Sequence, residues 1–368
     1  MKTPRATALV AALAATGLAA TSAAQTQTNT GTPPIHEDVV YRVYVACESS
    51  DQVYRVAFDG EKAETERIID VGYQPTEIEG PHGLAVGLDG EHWYLSIAHG
   101  KPFGLLYKYR TSDDEMVGEC ELGMFPATMQ ISPATGLLYC VNFNLHGRML
   151  PSTVSIVDPE AMVEVARTVT GAMPHGSRLG PKGKYHYSCA MMSGHLFEID
   201  AATFKVVRDL QLDIEPPAGH ESEAKPTWVH PHPIERKVYC ALNGKAAIVE
   251  VDLDRWVATR RFATGKGPYN LEISPDGKVM VATYKTDGAI GIWDLAEGRE
   301  LARIDTTRSV AHGVVISPDN RYAFVTAEAK NADPGALDIF DLQTHKKVAS
   351  VPVGLQAGGI AFWKMGPR

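Results

Sequence analysis

Residues Gly267–Ser309 read GPYNLEISPDGKVMVATYKTDGAIGIWDLAEGRELARIDTTRS. This stretch contains an apolar run, a Ser-Pro-Asp-Gly turn, a β-rich run over Val279–Tyr284, a polar loop, a third run ending at Asp294, and a fourth run after another turn. Short runs of β-forming residues bounded by Gly, Pro, Asp and Ser are typical of strands joined by tight turns. The stretch therefore predicts one unit of four short antiparallel strands.

The same unit recurs along most of the chain. The residues that open the first strand of each unit lie 42 to 52 positions apart. They are His82, Ala127, His175, Thr227, Tyr269, His312 and Gly358. A period of about 40–50 residues with four strands per unit is the sequence signature of a β-propeller.

The two ends of the repeat array complement each other. YRVYVAC at 41–47 is a second strand with no first strand before it, and AGGIAFW at 357–363 is a first strand with nothing after it. We therefore expect an all-β, seven-bladed β-propeller over residues 39–368, in which N-terminal strands join a C-terminal strand in one four-stranded antiparallel blade. Closure of this kind removes an exposed sheet edge.

The first 38 residues differ from the repeats. Lys2 and Arg5 precede a mostly apolar run from Ala8 to Ala20, and small residues at 22–24 suit cleavage after Ala24. We expect a signal peptide over 1–24, a disordered lead-in over 25–38, and a periplasmic mature protein without membrane insertion. The net charge of −9 argues against nucleic acid as a partner.

One unit carries a recognisable family pattern. The stretch Arg321–Gly354, RYAFVTAEAKNADPGALDIFDLQTHKKVASVPVG, resembles the YVTN-type propeller repeat, in which a strand such as YAFVT precedes a loop and a DIFDL strand. The wider group includes lactonase-like propellers and the haem d1 domain of cytochrome cd1. The resemblance implies the propeller fold; it says little about function, because the repeat consists of turn and core residues.

Three first strands open on a histidine followed by glycine: His82, His175 and His312. In a propeller these strands line the central channel, so the three imidazoles are expected at one channel mouth, spaced nearly evenly around it. Three histidine nitrogens suit a divalent transition metal that keeps one position open for substrate. We expect a copper, zinc or iron ion there.

Other residues on that face complete the predicted site. His99 leaves the second strand of the blade of His82 and is the expected fourth metal ligand. Tyr269, Glu328 and Arg178 are the candidate catalytic acid, base and substrate anchor. The alternatives without metal are a histidine-lined mouth that binds an anion or an organic ligand, and no site at all.

The first hypothesis for function is an exported metal-dependent enzyme acting on a small organic substrate, either a copper or iron oxidoreductase or a zinc hydrolase or lyase. The alternatives are a periplasmic protein that binds and delivers metal or a tetrapyrrole, with a redox or metal-delivery partner, a metal-free lactonase-like hydrolase, and a protein-interaction scaffold.

Four cysteines, Cys47, Cys140, Cys189 and Cys240, fall late in second strands. We expect them to lie at nearly the same repeat position, with Ile97, Thr283 and Thr326 or close neighbours as equivalents, and to be buried thiols, since free cysteine behaves as a small apolar residue.

Overall fold

A computed structural model describes residues 39–74, 76–213 and 220–367. These residues form 28 strands and two short 3₁₀ helices, Glu48–Ser50 and Asn243–Lys245. The strands make seven four-stranded antiparallel sheets, which confirms the predicted seven-bladed propeller. The predicted signal peptide and lead-in lie outside the described residues.

Blades 1 to 3 each run from the channel outwards in chain order. Blade 1 comprises β4 (Pro81–Val86), β5 (His92–Ile97), β6 (Leu105–Arg110) and β7 (Met116–Glu121). Blade 2 comprises β8 (Pro126–Ile131), β9 (Leu138–Asn142), β10 (Pro151–Asp158) and β11 (Val163–Ala172). Blade 3 comprises β12 (Pro174–Leu179), β13 (Tyr185–Ala190), β14 (His195–Asp200) and β15 (Lys205–Gln211).

Blades 4 to 6 repeat this order. Blade 4 comprises β16 (Pro226–Pro231), β17 (Lys237–Leu242), β18 (Ala247–Asp252) and β19 (Val257–Ala263). Blade 5 comprises β20 (Pro268–Ile273), β21 (Val279–Tyr284), β22 (Ala289–Asp294) and β23 (Arg299–Asp305). Blade 6 comprises β24 (Val310–Ile316), β25 (Tyr322–Glu328), β26 (Ala336–Asp341) and β27 (Lys346–Pro352).

Blade 7 combines the two ends of the array, as predicted. The strand order is β28 (Ala357–Pro367), β1 (Val39–Cys47), β2 (Gln52–Phe58) and β3 (Ala63–Asp70). β1 and β28 are antiparallel, with Val39 opposite Pro367 and Cys47 opposite Ala357. Each innermost strand contacts the innermost strand of the next blade, and β28 contacts β4, so the ring is closed.

A register shift near the start of each innermost strand explains the glycines. In blade 1 the pairing of β4 with β5 shifts between Pro81 and Leu84, so His82 and Gly83 lie in a bulge. A β-bulge re-aims a side chain and lets backbones approach closely. A Cβ on Gly83 would lie 1.8 Å from the carbonyl oxygen of Ala127 in blade 2. The bulge therefore turns the histidine out of the sheet, and glycine is required beside it.

A hydroxyl of the second strand satisfies the backbone groups that the bulge frees. In blade 6 the Gly313 N–H donates to Thr326 Oγ1 at 2.8 Å, and that hydroxyl donates to the Gly358 carbonyl of blade 7 at 2.8 Å. Ser96 and Thr283 hold the same position in blades 1 and 5. Each hydroxyl thus links its own blade to the next one.

The hydrophobic core lies between blades, and the cysteines are buried in it. The four cysteines lie within two residues of one another in the repeat, close to the predicted common position. Cys189 stands where Ser96, Thr283 and Thr326 stand, whereas Cys140 and Cys240 come one residue earlier and Cys47 one residue later. Since side chains alternate along a strand, one residue separates two opposite faces.

In the described part of the chain, no helix is long and apolar enough to cross a membrane.

Candidate functional site

The three predicted histidines meet at one mouth of the channel, which we call the upper mouth. It lies where innermost strands begin and second strands end. The ring centroid of His82 is 6.2 Å from that of His175 and 6.2 Å from that of His312. His175 and His312 are buried and His82 is nearly so. The structure thus brings the three histidines together around the channel axis.

Each of these imidazoles has its Nδ1 beside a fixed acceptor. His175 Nδ1 lies 3.2 Å from the Thr227 carbonyl and His312 Nδ1 lies 3.2 Å from the Gly358 carbonyl. His82 Nδ1 lies 2.7 Å from Glu48 Oε2. A hydrogen bond at one ring nitrogen fixes the tautomer and leaves the other nitrogen basic. The remaining nitrogen of each ring is therefore Nε2, which in His175 already has Tyr269 as a partner.

Glu48 connects two of the predicted residues. It opens the 3₁₀ helix directly after β1, and its second oxygen lies 2.8 Å from His99 Nε2. Burial opposes ionisation of Glu48, but the charge and hydrogen bonds of His82 and His99 outweigh burial and lower its pKa far below the usual range. The hydrogen bond to Glu48 raises the pKa of His99, despite partial burial. Glu48 is thus a carboxylate held between two imidazoles.

Tyr269 pairs with His175 on the far side of the ring. The phenol oxygen of Tyr269 lies 2.7 Å from His175 Nε2. Tyr269 also packs on His312, with ring centroids 4.7 Å apart. Burial lowers the pKa of His175 to about 3. Burial, as the larger cause, and repulsion from Lys285 also lower the pKa of His312. Both imidazoles are therefore neutral at ordinary pH, and the Tyr269 hydroxyl donates to His175.

Glu328 and Lys285 lie above this pair. Glu328 Oε1 is 3.5 Å from His312 Nε2 and 3.8 Å from Lys285 Nζ, and Lys285 also lies 4.2 Å from the Tyr269 ring centroid. Burial raises the pKa of Glu328, although the charge of Lys285 opposes this. The upper mouth therefore holds a carboxyl group that keeps its proton to higher pH than usual, next to an ammonium group.

Arg178 lies deeper in the channel than the other predicted residues. It lines one cavity of about 50 Å³ together with the three histidines. Its guanidinium stacks over the Trp228 ring at 4.8 Å and lies 3.6 Å from Glu272. It is therefore placed below the ring of histidines, and it does not contact Glu48, Tyr269 or Glu328.

The structure adds residues to the predicted ligands and catalytic groups. Glu48 and Lys285 both directly follow second strands, at the repeat position of Glu328 and one residue before that of His99, so the repeat period predicts both at this mouth. Trp228 and Asn270 line the channel cavity one residue after the ring position. His146, on the long loop of blade 2, packs against His99 with ring centroids 5.6 Å apart.

The described residues contain no group of three or more His, Cys, Asp or Glu side chains at metal-binding distances. The copper, zinc or iron ion expected from sequence therefore stays a prediction. Three imidazoles are donors of the type that binds such an ion, and the Nδ1 of each faces a fixed acceptor.

The sequence comparisons find short matches. No family model matches the chain. The small ribosomal subunit protein RACK1z of Arabidopsis thaliana is 35% identical over 87 residues, 24% of each chain. The hydrazine synthase subunit beta of Kuenenia stuttgartiensis is 33% identical over 125 residues, 29% of this chain and 32% of that protein. The matched part thus spans about a quarter to a third of these relatives.

Solved structures match over nearly the whole propeller. The Pseudomonas aeruginosa periplasmic gluconolactonase has a TM-score of 0.69 and 18% identity, covering 88% of this chain and 99% of that one. Kuenenia stuttgartiensis hydrazine synthase gives a TM-score of 0.64 and 17% identity over 79% and 92%. A Bacteroides fragilis structure assigned as a 6-phosphogluconolactonase gives 0.66 and 13% over 90% and 99%. At these identities the likeness establishes the fold, and this chain is a seven-bladed β-propeller of the kind that lactonase-like proteins and hydrazine synthase share.

Proposed function

We propose that this protein is a periplasmic lactonase-like hydrolase, in which the Glu48–His82 pair is the general base that opens a small cyclic ester. The observation that carries the proposal is the 2.7 Å contact of Glu48 Oε2 with His82 Nδ1. A carboxylate in this position fixes the imidazole tautomer and stabilises the imidazolium that forms when Nε2 takes a proton.

His82 Nε2 has the freedom that this role needs. It has no hydrogen-bond partner in the described part of the chain, and it lines the channel cavity. Glu48 is held from its other side by His99, whose Nδ1 in turn lies 3.2 Å from the Ile78 carbonyl. Because both nitrogens of His99 face acceptors, His99 is best satisfied as imidazolium, which leaves Glu48 ionised and oriented.

The remaining groups can serve the other steps of ester hydrolysis. His82 Nε2 takes a proton from water, and the resulting hydroxide attacks the carbonyl carbon. The Lys285 ammonium is placed to stabilise the negative oxygen that develops there. When the ring C–O bond breaks, Glu328 donates its proton to the leaving alkoxide and recovers one from the imidazolium through water. The product is an open hydroxy acid.

The similar structures favour this choice over the other hypotheses. Two of those reported above are named for lactone hydrolysis, and one of them is named as periplasmic. The acidic net charge of the chain suits neither nucleic acid nor an anionic membrane.

The test is hydrolysis of glucono-δ-lactone and simpler δ-lactones, followed by acid release at constant pH. Glu48→Gln keeps the size of the side chain but removes its charge. It should lower kcat by about 10² to 10⁴, the range that general base catalysis supplies. KM should change little, because Glu48 contacts His82 rather than substrate.

The matched control is His92→Gln. His92 also faces a carboxylate, with its Nδ1 3.6 Å from Asp89 Oδ2, but it begins β5 at the opposite mouth. This variant should keep full activity. Lactonase activity that is equal in wild type and Glu48→Gln, or absent from the wild type with every lactone, rules the proposal out.

A metal-dependent enzyme is the second candidate, because the Nδ1 of each of the three histidines faces a fixed acceptor and the three rings line one cavity. His82, His175 and His312 would hold the ion, and it would supply Lewis-acid activation of water. Elemental analysis of wild type beside a His82→Ala/His175→Ala/His312→Ala variant decides this. About one equivalent of copper, zinc or iron in the wild type alone supports it, and activity that survives strong chelators rejects it.

A further inference from the structure

Trp228 differs from every other tryptophan in the chain. The chain has five tryptophans, all of them among the described residues. Four donate their indole N–H to a protein acceptor, at distances of 2.8 to 3.1 Å. These four are Trp93, Trp256, Trp293 and Trp363. Trp228 Nε1 is buried and has no partner. Leaving a buried donor unpaired costs about 1–3 kcal/mol, so a partner outside the protein is indicated.

The unpaired indole lines the channel cavity, where a second polar group is also unpaired. Asn270, from the next blade, lines the same cavity and has a buried Oδ1 without a partner. Trp228 is 6% exposed and Asn270 is 4% exposed, so neither group is served by bulk solvent. Two adjacent blades thus place an unused donor and an unused acceptor on one small cavity.

Arg178 supplies the charge of this cavity. Its guanidinium carries five N–H donors. The described contacts use Nη1, which donates to the Ser177 carbonyl at 3.0 Å, and Nη2, which is 3.6 Å from Glu272 Oε2. The Cζ atom of the guanidinium lies over the Trp228 ring, 4.8 Å from its centroid. Such a planar fork matches planar oxyanions, which it binds through two parallel hydrogen bonds.

We propose that the channel cavity binds a small planar oxyanion that carries one hydroxyl group, with bicarbonate as its simplest example. Arg178 and the Trp228 indole donate to its oxygens, and its O–H donates to Asn270 Oδ1. The cavity of about 50 Å³ has room for about three or four water-sized atoms, which matches the four heavy atoms of bicarbonate. The site lies below the ring of histidines, and it does not depend on the proposed hydrolysis.

The charges around the cavity permit an anion. Below Arg178, the Glu272 carboxylate also faces His230, whose Nε2 lies 3.4 Å from Glu272 Oε2. Above, His175 and His312 are neutral, as derived for the upper mouth. Glu272 faces the Nη2 side of the Arg178 guanidinium, which leaves other N–H groups of Arg178 able to bind a second oxyanion.

The experiment is a bicarbonate titration at constant pH 8, followed through the indole N–H resonances of ¹⁵N-labelled full-length protein. The Trp228 resonance, assigned with Trp228→Phe, should shift and saturate. The Trp256 resonance should not move. Trp256 is the internal control because Arg208 stacks on it at 4.1 Å while its indole already donates to the Asp209 carbonyl at 2.8 Å.

Variants test the assigned donors. Arg178→Met should weaken bicarbonate binding by at least about tenfold, whereas Arg208→Met should leave it unchanged. Bicarbonate should raise the unfolding temperature of the wild type and of Arg208→Met, and not that of Trp228→Phe, whose ring still packs in the channel.

Two results overturn the proposal. One is a Trp228 resonance that bicarbonate does not move. The other is an equal response to chloride at the same concentration, which would show a site for any anion rather than for a planar hydroxylated one. Formate, which is planar but has no hydroxyl at this pH, should bind more weakly than bicarbonate, and tighter binding of formate would contradict the role of Asn270.

Discussion

Replacing His175 by glutamine should change how the stability of the propeller depends on pH. His175 is 1% exposed, and burial lowers its pKa from an ordinary 6.5 to about 3. In the unfolded chain the imidazole takes up a proton as the pH falls through 6.5, whereas in the folded chain it stays neutral until about pH 3. Stability rises with pH wherever the unfolded state binds more protons, so the wild type loses stability on acidification across this window.

The size of the effect follows from the two pKa values. At pH 8 both states are neutral and the site contributes nothing. At pH 5 the solution lies about 1.5 pH units below the pKa of the unfolded imidazole and still above the pKa of the folded one. Each pH unit corresponds to about 1.4 kcal/mol of stability. The wild type should therefore lose about 2 kcal/mol between pH 8 and pH 5 through His175 alone. Glutamine keeps an acceptor for the Tyr269 hydroxyl and does not titrate.

The assay is urea unfolding of wild type and His175→Gln at pH 8, 7, 6 and 5. The variant should be the less stable protein at pH 8, and the difference should shrink by about 2 kcal/mol by pH 5. The control is His220→Gln, at an exposed residue before β16 that is in contact with solvent in both states. A wild-type-to-variant difference that is the same at pH 8 and pH 5 would refute the conclusion that His175 is held neutral.

Two further predictions concern the bulges that position the histidines. Gly83→Ala places a Cβ 1.8 Å from the Ala127 carbonyl oxygen and should cost about 3 kcal/mol by urea unfolding. The control, Gly366→Ala, has nothing within 4 Å of the new Cβ and should change stability by less than about 0.5 kcal/mol. Equal effects of the two substitutions would contradict the close approach of blades 1 and 2. Thr326→Val keeps the side-chain shape but leaves the Gly313 N–H unpaired and removes one of the two hydrogen bonds to the Gly358 carbonyl, so it should cost about 2 kcal/mol, and Thr326→Ser should restore most of this. A serine variant as unstable as the valine variant would show that packing of the methyl group, and not the hydroxyl, matters.

The repeat period predicted the blades because turn residues and strand residues recur locally. It also predicted which side chains open the innermost strands, which is why His82, His175, His312 and Tyr269 are found around one axis. These inferences depend only on counting positions along the chain, and the alternation of strands and turns makes that counting reliable.

Contacts between blades could not be counted in this way. The pairing of Glu48 with both His82 and His99 depends on how blade 7 lies against blade 1, and the position of Cys189 depends on a shift of one residue that reverses the face of a strand. Arg178 was expected among the catalytic groups, yet its neighbours come from blades 4 and 5. Distances of this kind arise from the packing of the ring, which no local pattern encodes.

The pairing of β1 with β28 has a consequence for when the upper mouth is assembled. Glu48 directly follows β1, and β1 is held in the ring by the last strand of the propeller. A chain that has not yet added its final strand already contains every histidine of the upper mouth, but the carboxylate between His82 and His99 has no fixed support. The cluster of Glu48, His82 and His99 therefore forms only when the last strand is in place, and nascent or C-terminally clipped molecules would lack it.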